Sequence, residues 1–348
     1  MDFKRKESTR GSTRGSTKKR ELELLPTGCT IIDCALGGGL PFGKQTNIVG
    51  DRSGGKTILA CEIIANAIKI YGDAVEWEYD DAENGFSIPT MSMYGYTARE
   101  IDDPSSKTVE ELEERVEKRI KELAPNKKLI YVVDTVEGLQ SEAELKHIEK
   151  QRKARESGKE ETGTYGTAKA KYFNQFLRGD FLGDPRLMLL LISQTRDKIG
   201  VTFGSVKTRH CEQALEYWSD VIIYLRVAHR TEKVIEGKTF YPSRTIEAMI
   251  KKNKIIGYEL KPMIRMTTGL GIDNVDTNVC FLFDLMSDGG KVKSSINVEY
   301  DGQTFKTRDS LIKYIETENL EEDIHDLCCE KWERIMTKLR PTDRKKRF

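Results

Sequence analysis

The chain has 348 residues, of which 38% are hydrophobic and 32% charged, with 57 basic side chains against 56 acidic ones. That is apolar enough for a substantial core and, at ~150 residues per domain, long enough for about two domains; a collagen-like or wholly disordered chain is excluded. No apolar run approaches the ~20 residues that cross a bilayer, and the charged start lacks an apolar stretch, so the expectation is a cytoplasmic protein with no membrane partner. Seven scattered cysteines, odd in number and without a C-x-x-C pair, suggest small core residues in a reducing compartment rather than disulfides or a zinc site.

Residues 1–20 repeat Gly-Ser-Thr and carry eight basic side chains against two acidic ones. With almost nothing to bury, 1–21 is expected to be a flexible basic arm. From Leu22 the texture becomes globular. Apolar runs of strand length occur at 45–50, 74–79, 129–134, 187–193 and 221–227, and between them Lys56 to Ile70 and Thr108 to Leu123 have helical spacing. Strands apolar on both faces, alternating with helices, predict an α/β fold with a mostly parallel central sheet over 22–271. A polar turn at 288–290, a strand-like stretch from Ser295 to Tyr300 and helical patterns at 308–316 and 321–339 predict a small α+β C-terminal domain over 272–340. A basic tail, 341–348, follows it. The stretch 141–163 is crowded with charges of both signs and reads either as a solvated helix or loop or as a mobile segment that meets a polyanion.

Gly50-Asp51-Arg52-Ser53-Gly54-Gly55-Lys56-Thr57 matches the phosphate-loop pattern G-x-x-x-x-G-K-[ST], preceded by a strand and followed by a helix. Glycines let backbone N–H groups wrap phosphates, Lys56 supplies positive charge and Thr57 a hydroxyl for Mg²⁺. A second Mg²⁺ anchor is expected at Asp134, the acid that ends the apolar run Leu129 to Val133. Glu83, in Asp80-Asp81-Ala82-Glu83, is the candidate for orienting or deprotonating water. These residues call for a nucleotide polyphosphate and Mg²⁺.

The ordered set Leu25-Pro26-Thr27-Gly28, the phosphate loop, Asp81-Ala82-Glu83, Val133-Asp134-Thr135, Ile192-Ser193-Gln194-Thr195-Arg196, Ala214-Leu215-Glu216-Tyr217-Trp218, Lys252-Asn253-Lys254 and Gly269-Leu270-Gly271 resembles the RecA family of ATP-dependent strand-exchange recombinases, over roughly 22–330. The resemblance implies a P-loop RecA-like ATPase core that forms filaments of the chain with itself on single-stranded DNA and pairs it with homologous duplex DNA. It implies that Gln194 senses the γ-phosphate and orders a DNA-binding segment, 195–212, in which Arg196, Lys198, Ile199, Lys207 and Arg209 contact DNA. A first DNA-binding loop falls within 138–166, with Tyr165 as a contact. Lys252 and Lys254 complete the ATP site of the next subunit.

The chain departs from that pattern in several places. The family's N-terminal helical arm is replaced by the basic segment, Cys211-Glu212 stands for a Gly-Gly pair, Glu216 for a lysine, and Thr90 and Thr268 for adenine-stacking aromatics. Two other activities stay open from the sequence: an ATP-gated DNA-binding or regulatory protein without strand exchange, and a hexameric motor or helicase.

Overall fold

The computed structural model describes residues 22–100, 103–156, 166–197 and 207–339. The expected arm at 1–21, the tail at 341–348 and the candidates Tyr165, Lys198 and Ile199 lie outside these residues, and of Lys207 only the backbone is described.

After α1 (Thr30–Leu36) the chain enters an eight-stranded sheet. Its parallel part consists of β1 (Lys44–Gly50), β2 (Val75–Asp80), β3 (Lys128–Asp134), β4 (Leu187–Gln194) and the first half of β5 (Val221–Ile235). Strands β6 (Lys238–Asn253), β7 (Met263–Thr267) and β8 (Gly271–Ile272) extend it antiparallel, in the order β8-β7-β6-β5-β1-β4-β3-β2.

Strands β3 and β4 are buried along almost their whole length because helices cover both faces. The period-two alternation divides their side chains. Ile130, Val132 and Leu190 meet α2 (Lys56–Tyr71) through Leu59, Ile63 and Ile64, whereas Leu129, Tyr131, Val133 and Leu191 meet α3 (Val109–Glu122) through Leu112, Val116 and Ile120. The start of α3 is fixed by Thr108, whose Oγ1 accepts the Glu111 N–H at 3.1 Å, a cap worth about 1 kcal/mol.

The charge run is helical over α4 (Glu142–Glu156), with Lys146–Glu142 and Lys153–Glu149 ion pairs one turn apart at 2.7 and 2.8 Å. Such pairs let a helix with little to bury persist in water. Helices α5 (Gly166–Phe176) and α6 (Glu212–Trp218) flank β4 in sequence.

One feature differs from the sequence expectation. Strand β5 runs to Ile235, well past the apolar run, and returns as β6 through a Glu236-Gly237 turn with φ of 50° and 74°. Both central residues are left-handed, as two-residue hairpins of this kind require. Helix α7 (Asn274–Leu282), the hairpin β9 (Ser295–Tyr300)–β10 (Gln303–Thr307), α8 (Arg308–Glu318) and α9 (Glu321–Leu339) build an apolar cluster that also takes in Ile31 of α1.

Candidate functional site

The register aligns Gly50 with Gln194 and Leu225, Asp134 with Ile192, and Asp80 with Val133. The carboxyl ends of β1 to β4 therefore form one rim, the place where open α/β sheets collect ligands.

Gly50–Thr57 links β1 to α2 at this rim. Gly55 has φ +94°, a left-handed conformation that favours glycine, and Met266 Sδ lies 2.6 Å from where a Cβ would stand. Lys56 is buried and its Nζ donates to the Asp51 carbonyl at 2.8 Å. Burial pulls its pKa down, opposed by the negative charges of Asp134, Glu137, Glu83 and Asp51.

Thr57 Oγ1 donates to Asp134 Oδ2 at 2.8 Å and the Tyr79 hydroxyl donates to the same oxygen at 2.6 Å. Burial pushes the Asp134 pKa up, while both hydroxyls and the Lys56 charge favour its ionised form. A carboxylate and a threonine hydroxyl held together are the hard oxygen donors that Mg²⁺ takes alongside phosphates, so these residues fit the expected metal.

The three acids after β2 separate by environment. Asp80 is fully buried and accepts from the Ser106 N–H at 2.8 Å and the Tyr131 hydroxyl at 3.1 Å; Asp81 accepts the Gly85 and Phe86 N–H groups. Both hold backbone. Glu83 is exposed, and its Oε1 accepts from Thr135 Oγ1 at 2.5 Å. A Cβ on Gly138 would meet the Ala82 carbonyl at 2.6 Å, so that glycine lets the Glu83 loop lie against the end of β3.

The segment after β4 is tied to the phosphate loop. Thr195 N–H donates to the Gly50 carbonyl at 3.2 Å, the Thr195 hydroxyl bonds the Asp51 carboxylate, and the Gln194 N–H donates to Glu137 Oε2 at 3.0 Å. Lys169 of α5, also buried, donates to the Val136 carbonyl at 2.8 Å and the Glu137 carbonyl at 3.2 Å. Arg196–Asp197 pairs with Lys207–Thr208, bracketing 198–206, and Arg196 is exposed. A cavity of about 790 Å³ beside this ladder is lined by Lys171, Asn174, Arg178, Thr208, Glu212 and Tyr217.

Arg209 requires a correction. It is 4% exposed, pairs with Glu216 at 3.1 Å and bonds the Tyr224 hydroxyl, so it is an internal ion pair rather than an exposed DNA contact. The same pairing changes the meaning of Glu216, which also meets Lys251 at 3.0 Å. Burial pushes its pKa up, but Lys251 and Arg209 outweigh burial and hold it below the usual range. The acid that departs from the family pattern thus carries a neutralised charge. Cys211 has φ 52°, a left-handed backbone that explains why glycine suits this position.

Lys252 and Lys254 have their side chains bonded away from their own phosphate loop. Lys252 pairs in register with Ile222, itself aligned with Asn47 at the middle of β1. Lys252 Nζ donates to the Glu216 carbonyl at 2.6 Å, and Lys254 meets Asp220 at 2.9 Å. Sequence reasoning missed Tyr79, Thr135, Glu137 and Thr195, although each is a polar residue within or just after a buried strand of the rim.

Glu62, on α2, yields a prediction about stability. Burial pushes its pKa to about 7, whereas an unfolded glutamate titrates near ~4.3. Its contribution is complete below the lower value and lost as pH rises through the upper one. Glu62→Gln is expected to melt above the wild type at pH ~8, with the gap closing towards pH ~5, as followed by circular dichroism.

No helix among the described residues is long and apolar enough to cross a membrane. The sequence profile of the RecA N-terminal domain matches residues 5–272. A protein RecA of Gloeothece citriformis is 27% identical over 308 residues, covering 88% of this chain and 80% of its own. The Thermus aquaticus protein RecA is 30% identical over 264 residues, 75% of this chain and 72% of its own, and that of Symbiobacterium thermophilum is 31% identical over 237 residues, 67% and 61%. With a profile that spans most of its length and an intact phosphate loop at the rim of a largely parallel sheet, the chain belongs to the RecA family.

Proposed function

We propose that the protein is a DNA-dependent ATPase that forms filaments on single-stranded DNA and promotes homologous pairing and strand exchange. The observation that carries this reading is the bonded path from Gly50 and Asp51 to Thr195, together with the Glu137–Gln194 bond. Whatever occupies the phosphate loop acts on both residues at the base of the segment that the resemblance assigns to DNA. Nucleotide state then sets the conformation of that segment, an order–disorder switch.

In this reading Gly50 to Thr57 cradle the phosphates, and Lys56 balances their charge. Mg²⁺, held by Thr57 and Asp134, would supply charge stabilisation at the phosphates. Exposed Glu83, steadied by Thr135, positions the attacking water. Lys252 and Lys254 serve the site of a neighbouring copy, and Arg196, Lys198 and Lys207 meet the DNA phosphates while Ile199 wedges between stacked bases, without base readout.

The test is ATP turnover with and without single-stranded DNA, read beside electron micrographs of the same sample. Turnover should rise on DNA addition, with helical filaments present, and Lys252→Ala with Lys254→Ala should remove the stimulation. Equal rates with and without DNA and no filaments would leave an ATP-gated binding protein, and closed rings a motor.

A further inference from the structure

Strand β1 ends at Gly50, level with Leu225, but β5 continues for ten more residues before β6 returns. At ~3.3 Å per residue this hairpin carries about 30 Å of strand beyond the end of β1. On its near part, Arg230 lies opposite Arg244, and Arg244 lies opposite Met266 of β7. Directly opposed residues share a sheet face, which gives a row Arg230–Arg244–Met266 across three strands.

Two contacts show what the row faces. Met266 Sδ sits 2.6 Å from where a Gly55 Cβ would stand, and Arg244 Nη1 donates to the Ser53 carbonyl at 2.9 Å. The row is a wall along one side of the phosphate loop.

Like charges directly across a strand pair repel. Among the described residues neither arginine has a carboxylate partner. Nearby acids of the hairpin are engaged elsewhere, Glu247 with Arg226 at 3.1 Å and Glu232 with the Tyr241 hydroxyl at 3.5 Å. Burial and the neighbouring Arg230 both lower the pKa of Arg244. An anion beside the pair would relieve the repulsion and satisfy the guanidinium donors that Ser53 leaves over.

We propose that Arg244, backed by Arg230, binds the polyphosphate of a nucleoside triphosphate seated on the loop of the same chain. The proposal rests on the reading of Gly50–Thr57 as a nucleotide site and adds a cationic wall to it. It makes part of the site's positive charge intrinsic to each chain, in contrast to Lys252 and Lys254.

The experiment titrates full-length protein with a fluorescent ATP analogue and Mg²⁺, in the absence of DNA, at low and moderate salt. Arg244→Gln should weaken binding about 10-fold and Arg230→Gln about 3-fold, each with a shallower salt dependence, and Arg244→Lys should recover part of the loss. Arg230 is exposed, so Arg230→Gln tests the idea even where Arg244→Gln disturbs the loop. Wild-type nucleotide affinity in Arg244→Gln and Arg230→Gln overturns the proposal, and if a parallel titration with labelled single-stranded DNA weakens in those variants instead, the pair belongs to a nucleic-acid backbone. Lys56→Ala separates the two levels. If it leaves nucleotide binding intact, the nucleotide site itself is wrong; if it abolishes binding while the arginine variants do not weaken it, only the arginine assignment falls.

Discussion

Lys56→Ala is expected to lower ATP turnover by at least ~100-fold, the scale seen when a preorganised charge is removed from a developing anion in a water-poor site. The lysine is buried at the start of α2, anchored by the Asp51 carbonyl and set among the charges of Asp134, Glu137 and Glu83. Alanine takes away the cation these acids surround, so phosphates would approach a rim that is more negative as well as less able to donate. Phosphate release under saturating single-stranded DNA measures the effect, and a melting curve close to wild type shows that the fold persists. Turnover within a few-fold of wild type would remove Lys56 from the chemistry.

Arg265→Ala should be the most destabilising of these single changes. The side chain is fully buried on β7; Nε meets Asp276 at 2.9 Å, Nη1 donates to Thr245 at 2.8 Å, and Nη2 donates to Ser243 at 2.7 Å and Thr231 at 3.2 Å. One guanidinium thus joins β5, β6 and β7 to α7. Removing it strands Asp276, whose other partner is Arg308 at 3.3 Å, and loss of one member of a buried pair costs about 3–5 kcal/mol. In a chain of this size that is a fall of roughly 4–7 °C in melting temperature. Arg265→Met with Asp276→Asn should recover part of it, because no buried carboxylate is left without its cation while Arg308 keeps a side-chain oxygen at position 276. A single variant that melts within a degree or two of the wild type would refute this account.

The parts of the molecule legible in the sequence are those where burial leaves a pattern. Strands β3 and β4, both faces covered, are written as unbroken apolar runs, and the phosphate loop is written in glycines, of which Gly55 holds a left-handed backbone and Gly50 lies against the Leu225 carbonyl. The distal half of the β5–β6 hairpin was illegible because it faces water on much of its surface and mixes charged with apolar residues. Site residues at motif positions, Thr57, Asp134 and Glu83, come together at one rim, as their places at strand ends imply. Partners that depend on tertiary approach were hidden. Nothing in the local sequence at Arg209 says that it folds inward onto Glu216, or that Arg244 reaches Ser53 across 191 positions.

The apolar face of α1 has a consequence for biosynthesis. Ile31 leaves the ribosome well before Val279, Leu311 and Ile324, which cover it and lie at least 248 positions downstream. At ~5–20 residues per second that interval is roughly ten to fifty seconds, during which the nascent chain carries this apolar helix face uncovered. Stalling or early termination before the final helices are made would leave that surface open to holdase capture or to co-aggregation with sibling chains on the same polysome.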